Sequence, residues 1–116
     1  SPGQILVTTP QVAIGEGKQN YLLVSIYIHG ETIFARTVVR AHKDSHVSLF
    51  DSFKSDMSEV GLCTKPLGGG MMNVDHSART IKLKGACGTF GPADHRRARR
   101  IIKSFKKYEN YTVTVA

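Results

Sequence analysis

Five histidines, two cysteines and two glycine-rich stretches are the places where this sequence could do chemistry. His46 is the most informative of them. After it Val47, Phe50, Phe53, Met57 and Val60 recur at three- and four-residue spacing, which predicts a helix with one buried stripe. Asp44 or Ser45 can cap that helix and Gly61 can end it. His46 therefore stands in the first turn, where unpaired backbone N–H groups and the helix dipole favour an anion. A neutral imidazole held there can act as base or nucleophile toward a bound phosphoryl group. Taken alone, a histidine at a helix start is more often a surface or capping residue.

The other reactive side chains exclude more than they suggest. His42 lies four residues before His46, a metal-binding spacing only on a continuous helix, and a strand-to-helix junction is expected between them. His29, His76 and His95 have no metal spacing, so neither a metal nor a cofactor is expected. Cys63 and Cys87 form no CxxC, and neither begins the C-x5-R loop of a cysteine-dependent phosphatase. They read as thiols of a reduced intracellular chain rather than as a disulfide. Gly68-Gly69-Gly70 lacks the lysine and hydroxyl residue of a P-loop and reads as a flexible turn or bulge beside a site. Cys87-Gly88-Thr89-Phe90-Gly91-Pro92 is a second small-residue loop. It offers N–H groups to an anion or simply connects two elements.

The elements around these residues follow from periodicity. Gln11–Ile14 is a short strand ended by Gly15-Glu16-Gly17. Along 21–29, Leu22, Val24, Ile26 and Ile28 alternate with Tyr21, Ser25, Tyr27 and His29, and Gly30 turns the chain into a second strand over 32–40. Residues 71–74 and 80–84 are further strands, and 111–115 closes the chain as another. Gly91-Pro92 is expected to open the second helix, with Pro92 in its first turn and Ala98, Ile101, Ile102, Phe105 and Tyr108 as its apolar stripe. The sequon Asn110-Tyr111-Thr112 reads as a strand entry. The pattern gives one α/β (α+β) domain over 1–116, a mixed sheet flanked by helices.

The formal net charge of +7 is concentrated in one place. Arg96, Arg97, Arg99, Arg100, Lys103, Lys106 and Lys107 account for all of it, because the remaining basic residues equal the acids in number. Such a helix suits nucleic acid, an anionic membrane, an acidic protein or plain solvation. No groove-reading or aromatic stacking motif accompanies it, so nucleic acid is not expected as the partner. No apolar run approaches the roughly 20 residues of a membrane span, and the first residues lack the pattern of a secretory signal.

Four motifs in order make the pattern specific: Val39-Arg40-Ala41-His42-Lys43, Asp44-Ser45-His46-Val47, Leu67-Gly68-Gly69-Gly70, and Phe90-Gly91-Pro92-Ala93-Asp94-His95. From about Pro10 onward the chain resembles the janus/ocnus family and its small phosphohistidine phosphatase. The resemblance implies a six-stranded mixed sheet held between two helices. It also implies a metal-independent protein phosphohistidine phosphatase with His46 as the essential residue. Backbone groups at Ser45, Val47, Cys87 and Thr89 would hold the phosphate and Arg40 would offset its charge. The helix start at His46 and the loop 87–91 should then converge on one anion site. The family's phosphatase carries a lysine where this chain has Asn20 and an arginine where it has Met71. That loss of charge favours, as the alternative, a noncatalytic module that binds phosphate or phosphoprotein in sex-specific, germline regulation. In either case a cytoplasmic monomer acting on phosphorylated protein is expected.

Overall fold

Strand propensity and alternation make the centre of the sheet, and its two faces are buried by different helices. In the computed structural model, which describes residues 1–116 apart from the side chain of Thr32, the chain runs α1 (Pro2–Thr8), β1 (Val12–Ala13), β2 (Gly17–Ile28), β3 (Glu31–His42), α2 (His46–Glu59), β4 (Cys63–Asp75), β5 (Thr80–Lys84), α3 (His95–Ser104), a 3-10 turn (Lys106–Tyr108) and β6 (Thr112–Val115). The six strands form one mixed sheet in the order β1-β3-β2-β4-β5-β6. Its inner pairs are antiparallel, while β1 on β3 and β6 on β5 are parallel.

β2 sits at the centre and shows why both faces are closed. Leu22, Val24 and Ile26 point toward α1 and α2, where they pack with Leu6, Val38, Phe50, Phe53 and Leu62. Tyr21 and Leu23 point the other way and join Met72, Val74, Ile81, Leu83, Ala98 and Ile102 beneath α3. Each fully buried aliphatic side chain contributes roughly 1.5–3 kcal/mol. The hairpin expected at Gly30 forms, with that glycine at φ +80°.

Three expectations are corrected. The sheet is flanked by three helices rather than two, because Pro2–Thr8 is helical. That helix is closed by a capping box between Ser1 and Gln4, and Arg36 donates to Leu6 O and Thr9 O at its far end. α3 does not open at Pro92: Asp94 is its N-cap, accepting from the N–H of Arg97 at 3.0 Å. Of the turn or bulge expected at Gly68-Gly69-Gly70, the turn is absent: the three are buried residues inside β4, and a bulge falls immediately before them.

Candidate functional site

Ser45 has extended backbone and its Oγ accepts from the N–H of Ser48 at 3.1 Å, so α2 starts at His46. The N–H groups of Ser45, His46 and Val47 are donated to no group among the described residues, as helix geometry requires of a first turn. His46 is half-buried, and its Nε2 lies 2.8 Å from the carbonyl oxygen of Gly70. A carbonyl only accepts, so Nε2 carries a proton, and in the neutral ring the lone pair is on Nδ1. One backbone oxygen thereby sets both the ring orientation and the tautomer of His46.

That oxygen is held by a seam of close backbone packing. Gly68 pairs with Leu23 and Pro66 with Val24, which leaves Leu67 as a bulge. Gly69 then takes the loop 87–93 alongside β4: its N–H donates to Gly91 O at 2.9 Å and its carbonyl accepts from Ala93 N–H at 2.9 Å. The loop closes on itself through Gly91 N–H to Cys87 O at 2.8 Å. A Cβ on Gly69 would lie 2.6 Å from Tyr21 O and 3.0 Å from Cys87 Cβ. One on Gly70 would lie 2.6 Å from Lys84 O and 2.7 Å from His95 Cε1. The three glycines are there to let backbone meet backbone, and Gly69 and Gly70 join the loop 87–91 and His46 to adjacent residues of one strand.

Behind the seam the opposite face is locked by the pair of buried Tyr21 and half-buried His95. Nε2–H of His95 donates to Gly85 O at 2.8 Å, which leaves Nδ1 to accept from the hydroxyl of Tyr21. Tyr21 is fully buried, and burial, with a smaller contribution from Asp94, raises its pKa well above the ordinary 10.0. His95 and Asp94 therefore anchor the start of α3 rather than face the His46 side of the sheet.

The site residues expected from sequence are distributed around this arrangement. Ser45 and Val47 are exposed at the helix start, and Thr89 is exposed in the loop with an N–H donated to no described group. Cys87 is only 2% exposed, and its N–H is turned to Gly91 O at 3.3 Å. Phe90 ties the loop to α2 by an edge-on contact with Phe50, 5.2 Å between centroids. Arg40 is engaged elsewhere. Its guanidinium donates to Pro10 O at 2.7 Å and Val39 O at 2.9 Å and lies 4.8 Å over the Phe53 ring, about two turns along α2 from His46. Burial, and then Arg36, lower its pKa to about 10. Both cysteines are free thiols, and no group of metal-ligating side chains occurs among the described residues.

Asn20 and Lys84 join the site only through the register of the sheet. Asn20 Nδ2 donates to Asp44 O at 2.9 Å, bracing the residue before the N-cap. Asn20 pairs with Met71, and Met71 pairs with Lys84, so the three side chains share one row and one face. Lys84 therefore brings a cation directly beside Met71. The alternation of 80–84 was visible in the sequence, but which residue of β4 it would oppose was not.

The model of the Janus/Ocnus family matches residues 6–112. The sex-regulated protein janus-B of Drosophila pseudoobscura pseudoobscura is 51% identical over 116 residues, covering 99% of this chain and 83% of its own length. Those of Drosophila teissieri and Drosophila melanogaster are 41% and 40% identical over 111 residues, covering 95% of this chain and 79% of their own.

Proposed function

Because this chain belongs to the Janus/Ocnus family, we propose that it is a protein phosphohistidine phosphatase that works without metal, with His46 as the reacting group. The observation that carries the reading is the fixed tautomer. Gly70 O accepts from Nε2–H, and in the neutral ring the Nδ1 lone pair is left at a helix start whose N–H groups have no other partner among the described residues.

The P–N bond of phosphohistidine is labile, so the catalyst has to orient the phosphoryl group, offset its charge and supply one basic nitrogen. The N–H groups of Ser45, His46 and Val47, with Thr89 from the facing loop, hold the phosphoryl oxygens. Lys84 supplies the cation that Met71 does not, since Arg40 is committed to Pro10 and Phe53. Nδ1 of His46 then has one of two roles. As nucleophile it takes the phosphoryl group as the substrate P–N bond breaks and the departing imidazole takes up a proton from solvent, and water later cleaves the new P–N bond, giving up a proton and releasing inorganic phosphate. As base it takes a proton from water while the water oxygen attacks phosphorus, and the leaving imidazole is protonated as it departs. No thiol takes part in either.

Turnover tests the reading. Purified protein should release inorganic phosphate from a phosphohistidyl peptide, and the rate should survive EDTA and thiol alkylation. The reading is lost if phosphate release is absent or follows added metal. The shortage of cations at Asn20 and Met71 favours a second reading, a noncatalytic phosphoprotein-binding module. That reading gains if the phosphopeptide binds but is not hydrolysed.

A further inference from the structure

Beyond α2 the face of the sheet that carries His46 has no helical cover, and a cleft of about 290 Å³ opens there, lined by Lys18, Met71, Lys82 and Lys84 among others. Strand register explains the gathering. Lys18 pairs with Asn73 and Asn73 with Lys82, one side-chain row beyond Asn20, Met71 and Lys84. Side chains on one face of a strand recur every second residue, so the two rows are separated by about 7 Å. Met71 is 44% exposed at the floor. Among the described residues none of the three lysines is paired with a carboxylate, since the ion pairs present are His42 with Asp44 and His76 with Glu16. The three cations thus converge on an open cleft that starts beside the residue whose carbonyl orients His46.

We propose that this cleft docks an extended acidic segment of the partner polypeptide, with carboxylates about two residues away from the group presented to His46. This deepens the phosphatase reading and rests on it for the identity of the neighbouring site. The geometry separates two tasks. Lys84, in the first row, stands by the phosphoryl group. Lys18 and Lys82, in the second row, read the flanking sequence. An extended peptide matches the uncovered sheet face, and its acidic side chains match the unpaired ammonium groups.

The test uses a fluorescein-labelled peptide alternating glutamate and serine, with no phosphoryl group, followed by fluorescence anisotropy at low salt. The wild-type chain should bind it, and Lys18→Glu with Lys82→Glu should weaken binding about tenfold, as expected for two reversed surface charges. His46→Ala should bind it as the wild type does. Both lysines are exposed, so the double variant should keep its thermal midpoint. Unchanged affinity in the double variant overturns the proposal. It is equally overturned if a single-stranded oligonucleotide binds more tightly than the peptide and loses that binding in the same variant, because the occupant is then nucleic acid. Since the probe carries no phosphoryl group, an absence of phosphatase turnover leaves this result standing, and an absence of peptide binding leaves the turnover test standing.

Discussion

At the scale of residues, the glycine run and the Gly-Pro-Ala-Asp-His stretch explain each other. Gly70 orients His46 through its carbonyl and has no Cβ because Lys84 O and His95 Cε1 occupy that space. Gly70→Ala should therefore lower stability by about 1–3 kcal/mol, an overpacking cost, read from the urea midpoint. It should reduce turnover beyond what that loss explains, because the orienting oxygen moves. The Tyr21 hydroxyl gives a pH prediction. Its pKa is raised in the folded chain, so the folded state keeps the proton above pH 10 while the unfolded state loses it. The stabilisation is complete below pH 10 and declines as pH rises past the unfolded value. Tyr21→Phe should flatten the alkaline fall in thermal midpoint between pH 9 and 11, and an unchanged slope would show that Tyr21 is not its source. His46 itself was recognisable from the helix period that follows it. Its acceptor was not, because Gly70 is a long-range partner that no local pattern names.

At the scale of elements, the proposed function rests on the start of α2. Ser45→Ala removes the cap bond to Ser48 and should cost about 1 kcal/mol, with weaker phosphate binding as the first turn frays. Met71→Arg should raise turnover severalfold, since it adds a second cation beside Lys84 on the uncovered face. Asn20→Lys is the less clean change because it also removes the bond to Asp44 O. The central hairpin, β5, β6 and the central helix were readable from alternation and period; β4 was read only over 71–74, because three consecutive glycines read as a turn or bulge. α1 was not readable, because Ile5, Leu6 and Val7 are consecutive and show no helical spacing; the Ser1 and Gln4 capping box was the available signal. The start of α3 was read three residues early. Pro92 fits a first helical turn by rule, yet here the loop stays extended to pair with Gly69 before Asp94 caps the helix.

At the scale of the molecule, the positive charge divides between structure and surface. On the α3 side Arg97 donates to Thr37 Oγ1, Arg99 to Val113 O, and Lys103 to Glu109 O and Tyr111 O. Much of the basic helix therefore holds the fold together, and Arg99 also shields the edge strand β6. Nucleic-acid binding should be weak, nonspecific and abolished by moderate salt; salt-resistant, sequence-selective binding in a filter assay would contradict this. No helix is long and apolar enough to cross a membrane among the described residues. The opposite face of the sheet carries the lysine cleft and His46 together, and the central claim concerns that face. It is tested most directly by following a phosphohistidyl peptide by 31P NMR in EDTA, with wild-type protein and His46→Ala side by side. The phosphoramidate signal should convert to inorganic phosphate with the wild type. It should decay only at the spontaneous rate with a folded His46→Ala. Equal rates for the two proteins would contradict the account.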